Sequence, residues 1–537
     1  MAAKEKRGSS FVMQAAILAS ASLIVRFIGF LYRLPLTELI GDTGNGIYNA
    51  GYQIYTFLLI LSSAGLPAAI SRLVSTRIAK GEFQNAHRVF RVALAFAVTL
   101  GSIGMVVLYV FAEQFASWGG IADSVYSIKT LAPTLLIVSI MSVYRGYLQG
   151  LNIMVPTAVS QIIEQIFNAI FSVYLAWILV KQSIPLGAAG GTAGTGVGAL
   201  AGLVIIIIYY QKEKKTIFKN IRFEQSGIAA ETNRETLKNI VSTALPIIAG
   251  TAIFSMSNLI DVAMVMSNLR KSGAFTEEEA QALYGQLSGK YVTLTTMPVS
   301  ISSAMATAAV PNIATAVTVG DRKVIKYKIN LALKMAMIIA IPAAVGIGVL
   351  GDNILLMLFP SYPEGGVLLK AGAVSIAFLS LCQIVTGVLQ GIGKIYIPVI
   401  GALIGAVVKI ILNSFLIEIP AINVVGAVIS TDVCYLAAAA FDLIMLSRIT
   451  GIRPYYGQIL VKPAICSAVM GVSCIVFYKL FDIIFGNTIS TLATIILAMG
   501  VYLVCMLLIR GITEKDFNSI PKGRSMVRIF KKLRLIR

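Results

Sequence analysis

Hydrophobic residues run along this chain in blocks long enough to cross a bilayer, separated by short polar stretches. A spanning helix needs about 20 consecutive apolar residues. By that measure the pattern predicts fourteen spans, near 12–34, 46–70, 88–111, 125–148, 156–180, 187–210, 241–267, 284–312, 327–350, 367–390, 395–417, 422–447, 459–480 and 488–510. The apolar piece Ile354–Phe359 is too short to span and is expected as an interfacial turn. The pattern also repeats. GYLQGLNIMVP (Gly146 to Pro156) returns as GVLQGIGKIYIP (Gly387 to Pro398), and SSAGLPAAIS (Ser62 to Ser71) returns as SSAMATAAVPNIAT (Ser302 to Thr315). Each pair lies six spans apart. An even spacing gives both halves the same orientation, a parallel repeat about an axis along the membrane normal. The expected architecture is an all-α polytopic membrane protein. Two six-helix lobes, 1–210 and 240–450, surround a central cavity and are joined by a charged linker, 211–239. Two further helices follow at 451–510, with a basic tail at 511–537.

Composition agrees with the pattern. Of 537 residues 57% are hydrophobic and 13% charged, against roughly 25% charged in a soluble domain; the mean hydropathy is +0.84. The net charge of +20 could point to nucleic acid, but the cations sit in alternate loops. Residues 211–239 carry seven Lys/Arg against four Glu, and the tail from Arg510 carries nine against two acids, while 112–124 holds only Glu113 and Asp123. That alternation follows the positive-inside rule and puts both termini in the cytoplasm. The five cysteines lie in apolar stretches and the single histidine, His87, in a polar one, which argues against disulfides, zinc and histidine-based catalysis. The Gly-rich run Gly187 to Leu200 lacks the Lys-Ser/Thr of a phosphate-binding loop and is expected to serve close helix packing.

The informative residues are ionisable groups inside spans, where a charge costs at least ~2.5–3.5 kcal/mol and faces a wet interior or a partner. Arg26, Gly29 and Arg33 share one face of span one. The glycine leaves room beside the cations for a ligand or a neighbouring helix. Arg26 is expected to contact an anionic substrate; pairing with a carboxylate such as Glu164 is the alternative. Arg33 and Arg145 lie near span ends and could also snorkel. Lys290 is a further candidate cation. Tyr48, Tyr52 and Tyr55 share a face of span two; Tyr48 fits an interfacial belt, while Tyr52 and Tyr55 could stack a sugar. In the second lobe, Asp261, Lys409, Asn413 and Asp432 form a candidate ion or coupling site, or an internal ion pair.

These residues carry a resemblance. R-x-x-G-F (Arg26, Gly29, Phe30), G-D-x-G-x-G-x-Y (Gly41 to Tyr48), G-L-P-x-A-I-S-R (Gly65 to Arg72) and N-L-I-D (Asn258 to Asp261) resemble the multidrug/oligosaccharidyl-lipid/polysaccharide exporter superfamily. The similarity is to its polysaccharide-biosynthesis branch, which holds stage V sporulation protein B and the lipid II flippases related to MurJ. The resemblance implies a V of two lobes and alternating access that carries lipid-linked sugars to the outer leaflet of the bacterial cell membrane. It also implies cavity arginines on the lipid diphosphate. Arg26 occupies the first such position and Arg33 lies one residue off the second. A span-two arginine of such relatives is missing, since Tyr55 to Pro67 contains no cation. Relatives that bind sodium use an acid on span seven with polar residues on span eleven. Asp261 and Asn413 fit that pattern, and Lys409 intrudes as a built-in cation.

The implied activity is flipping of undecaprenyl-diphosphate-linked peptidoglycan precursor. Export of another lipid-linked glycan or of cationic drugs are the alternatives. An enzyme is not expected, since no convergent acids or histidine gather at one membrane face. No cofactor is implied; sodium or proton coupling, or the membrane potential, stays open. The implied partners are the undecaprenyl-diphosphate-linked glycan, membrane lipids and cell-wall synthesis proteins, and not nucleic acid.

Overall fold

The structure, a computed structural model, describes residues 2–224, 231–514 and 516. Its described residues form helices and no strand, as the bilayer demands of any open structure whose backbone groups must all be satisfied internally. In chain order these are α1 (Ala2–Leu59), α2 (Leu66–Ala79), α3 (Phe83–Val110), α4 (Ala112–Trp118), α5 (Ser124–Gly150), α6 (Val155–Leu179), α7 (Ile184–Arg222), α8 (Asn233–Lys271) and α9 (Glu277–Gly285). There follow α10 (Val292–Val319), α11 (Arg322–Leu358), α12 (Gly366–Gly372), α13 (Ser375–Gly391), α14 (Tyr396–Leu416), α15 (Val425–Thr450) and α16 (Lys462–Leu508). Among the described residues nine helical runs are long and apolar enough to cross a membrane, ten if the bent pair α12–α13 counts as one span. Two of the nine, Ser20–Ala79 and Gly457–Leu508, are 60 and 52 residues long, about twice a spanning length. Each turns at one left-handed glycine, Gly41 (φ 68°) and Gly486 (φ 69°). The arrangement is consistent with the fourteen spans read from the sequence.

Starts and stops follow local chemistry. Proline stands in the first turn of α2, α6, α7 and α16, where its missing N–H is not needed. Ser183 accepts from the Leu186 N–H at 3.3 Å, and Asp321 from those of Lys323 and Val324 at 2.8 and 3.3 Å. Left-handed Gly320 and Gly451 close α10 and α15. One expectation is corrected. Ile354–Phe359 is not an interfacial turn, since α11 runs on through Leu358. The segment 211–239 is largely helical where it is described, because α7 continues to Arg222 and α8 begins at Asn233.

The chain divides into two compact units, Met1–Arg270 with Phe275–Gly285, and Lys271–Ala274 with Gln286–Arg537. In the first, α7 lays the glycines of its first half against α6. A Cβ at Gly198 would come within 2.5 Å of the Glu164 carbonyl oxygen, and one at Gly190 within 2.7 Å of the Leu175 backbone. Small residues permit such backbone approach where hydrocarbon offers no hydrophobic drive. The GDTGNG bend works in the same way. Gly41 makes the corner, and Gly46 lets α9 cross at Gln281. The sequence repeat is a packing repeat. In the first unit Gly146 lies on Pro67 and Gly150 on Val74; in the second Gly387 lies on Ala306 and Gly391 on Ile313. The two repeated motifs are thus the two sides of one contact, built once in each unit. Large apolar side chains such as Phe415 (70% exposed) and Ile483 (84%) cover the outside, a surface suited to lipid.

Candidate functional site

In the first unit, the second arm of α1 brings three tyrosines into line at i, i+4 and i+7. Tyr48 and Tyr52 stack with ring centroids 5.7 Å apart and planes 9° from parallel, and Tyr55 follows Tyr52 at 5.8 Å. The Tyr32 and Tyr48 hydroxyls, 3.4 Å apart, tie the first arm to the second. Arg33, next to Tyr32, lies within electrostatic range of Tyr48 and Tyr52. Tyr52 is also within range of Glu164 on α6. Arg145 on α5 donates to the Glu164 Oε2 at 2.7 Å and to the Ser160 Oγ at 2.7 and 3.2 Å. Ser160 donates in turn to the Gly202 carbonyl of α7 at 3.0 Å. Gly29 faces the same place, for a Cβ there would sit 3.2 Å from Gln165 Nε2. Arg26, one turn earlier, is exposed, and among the described residues no acceptor holds it.

The structure therefore gathers Gly29, Arg33, Tyr52, Arg145 and Glu164 of the sequence-derived set. Three departures have physical reasons. Arg26 does not pair with Glu164, because Arg145 occupies that carboxylate. Arg145 does not snorkel; its side chain is 13% exposed and ion-paired. Tyr48 is 1% exposed, under Tyr52, and does not sit in an interfacial belt. Among the described residues the arrangement sets the Arg33 and Arg145 guanidiniums near the Glu164 carboxylate, beside a phenol face and hydroxyls. It can bind phosphate oxygens and sugar hydroxyls.

In the second unit Lys290 lies in a π-helical turn, Gln286–Tyr291, and is 1% exposed. Its Nζ donates to the Tyr362 and Glu364 carbonyls at 2.5 and 3.2 Å and stands 5.6 Å from the centre of the Phe359 ring. Its ammonium thus pins the segment after α11, which corrects the expectation of a cation facing substrate. Lys409 and Asn413 on α14 are both 0% exposed, and Asp432 on α15 is 7% exposed. Asp261, half-buried on α8, belongs to the first unit by packing. The sequence-derived set omits Asp442, which is 0% exposed with neither carboxyl oxygen hydrogen-bonded among the described residues. Gly401 makes room for it, since a Cβ there would lie 2.5 Å from Oδ1. Its signal was present: an acid inside LAAAAFDLIML is as costly to bury as Asp432.

Long apolar helices with ionised side chains among them define a multi-pass membrane protein. A family model described as polysaccharide biosynthesis protein matches residues 11–317. The chain is 30% identical over 479 residues, 85% of its length and 86% of the relative's, to "Lipid II flippase MurJ" of Bacillus subtilis (strain 168). It is 26% identical to "Stage V sporulation protein B" of the same organism, over 97% and 99% of the two chains. Among solved structures it resembles an inward-facing multidrug resistance MATE family transporter (TM-score 0.68, 15% identity, 79% and 94% covered) and "Lipid II flippase MurJ, inward closed conformation" (0.67, 15%, 91% and 98%). The chain belongs to the polysaccharide biosynthesis protein family, with MurJ among its relatives, and shares its fold with MATE transporters; it is a transporter and not an enzyme.

Proposed function

We propose that the protein is an alternating-access flippase that moves undecaprenyl-diphosphate-linked peptidoglycan precursor (lipid II) from the inner to the outer leaflet of a bacterial plasma membrane, with both termini cytoplasmic. The observation that carries this reading is the cluster of Arg33, Arg145, Tyr52 and Glu164 among apolar helices, with Arg26, exposed and without an acceptor among the described residues, two turns before Arg33. Burying a diphosphate and many hydroxyls in hydrocarbon is prohibitive without replacement of their hydration. Arg26 and Arg33 supply charge to the diphosphate, Tyr52 a face for a sugar, and the isoprenoid tail stays in the bilayer. Lobes 1–210 and 240–450 rock about the linker 211–239.

Export of another lipid-linked polysaccharide or teichoic precursor is the neighbouring reading. A MATE-like antiporter of cationic drugs is disfavoured because Arg145 already neutralises Glu164. Complementation of a strain depleted of its lipid II flippases tests the proposal. Wild type is expected to restore growth, and Arg26→Ala to lower rescue at equal expression. Failure of well-expressed wild type would replace lipid II with another glycan; equal rescue by both would remove Arg26 from the mechanism.

For coupling, Lys409, wholly buried on the helix that carries Asn413, takes the place of a bound sodium ion, leaving the membrane potential or a proton gradient as driving force. Purified protein is therefore expected to melt at the same temperature in sodium and in potassium chloride. Sodium-specific stabilisation that disappears in Asp261→Ala would overturn this.

A further inference from the structure

A second polar feature of the first unit plays no part in the reading above. Between α3 and α8 lies a groove of about 610 Å³. Arg91 and Arg234 line it together with Val92, Ala95, Phe96 and Leu237 and the polar side chains Thr99 and Asn233. The acids of this corner are already engaged. Glu231 takes three hydrogen bonds of 2.7–3.0 Å from Arg77. Glu235 accepts from the Thr232 N–H and hydroxyl at 2.9 and 2.8 Å. Among the described residues neither Arg91 nor Arg234 has an acceptor, and the Nε of Arg88, one turn before Arg91, is buried without one. Beyond Leu237, α8 carries an exposed apolar stripe: Leu237, Val241 and Leu245 are 36%, 37% and 60% exposed. Arg88 and Arg91 are the last charges of α3, so the cations lie where its uncharged, mainly apolar stretch begins.

We propose that this groove is a binding site for an anionic phospholipid of the surrounding leaflet, its phosphate held by Arg91 and Arg234 and one acyl chain laid against Phe96 and the α8 stripe. Two guanidiniums lining one groove suit a phosphodiester, and the apolar stripe beside them suits a chain rather than a soluble anion. A lipid seated there joins the first half of α3 to the start of α8; elsewhere at this corner Glu231, just before α8, pairs with Arg77 of α2 and donates its N–H to Asn85 Oδ1 of α3 at 3.0 Å.

The test is thermal unfolding of the full-length protein in detergent, titrated with dioleoyl-phosphatidylglycerol, dioleoyl-phosphatidylcholine or inorganic phosphate. Phosphatidylglycerol is expected to raise the melting temperature saturably and the other two to leave it unchanged. The half-saturating concentration is expected to rise about tenfold or more in Arg91→Gln/Arg234→Gln, and to stay the same in Lys212→Gln/Lys214→Gln, which removes the same charge from α7. Ala95→Trp, which keeps both arginines and fills the apolar part, is expected to weaken the response as well and carries the test if the double variant does not fold. Equal stabilisation by phosphatidylcholine, or by inorganic phosphate, or an undiminished response in the variants, overturns the proposal.

Discussion

Arg145→Ala is expected to destabilise the folded protein by about 2–3 kcal/mol and to abolish transport. Removing one partner of a fully buried ion pair costs ~3–5 kcal/mol, because the other charge is left unpaired. Here Glu164 keeps 27% of its side chain exposed, so the cost falls at or below the bottom of that range. The Ser160 hydroxyl, which donates to the Gly202 carbonyl, loses its guanidinium as well. Adding Glu164→Gln to Arg145→Ala removes the orphaned charge and is expected to restore most of the melting temperature without restoring transport. Melting curves for the two single variants and the double variant, set beside complementation, separate a structural role of the pair from a role in binding. Transport that returned together with stability would assign the pair to folding alone.

Gly285→Ala is the second large effect. A Cβ at this position would overlap the carbonyl oxygen of Asp42 and come within 2.9 Å of the Gly46 N–H nitrogen. Both obstacles are backbone, so no rotamer change relieves them, and α9 must lift off α1. The expected loss is about 3 kcal/mol, the upper end of overpacking costs, seen as reduced yield of monodisperse protein and a lower melting temperature. Gly500→Ala is the control. No atom outside its own helix turn lies within 4 Å of its Cβ position, and helix propensity makes that change neutral or slightly favourable. Equal behaviour of the two variants would mean that the α1–α9 crossing is looser than described.

Much of this was legible in the sequence because bilayer physics writes it in long stretches. Apolar block length gave the helical class, and the repeated GxLQG and small-residue runs marked the contact that packs each unit. The GDTGNG run announced a bend. What it did not announce was that Gly46 exists for Gln281 and Gly285, since a close approach between helices some 240 positions apart leaves no local signature. The candidate site was legible in kind and less so in pairing. A charge in a span must meet something, but which carboxylate answers which guanidinium depends on helix rotation. Arg145 and not Arg26 met Glu164, because the glycines of α7 bring α6 in with that face turned toward α5. Lys290 misled for a related reason. Its partners are carbonyls of a loop more than 70 positions away, and carbonyls are invisible to any count of charged letters. Asp442 was passed over in a stretch that looked like ordinary packing.

One corner of α1 has a mechanical outcome. The helix changes direction at a single residue, Gly41, with no loop to absorb slack, and α9 clamps the next turns at Asp42 and Gly46. Its two arms behave as a bell-crank on a fixed pivot. On the proposed function, a tilt of the tyrosine arm under a bound headgroup would be delivered to the arm bearing Arg26 and Arg33, so that gripping cargo and reorienting the grip would be one displacement.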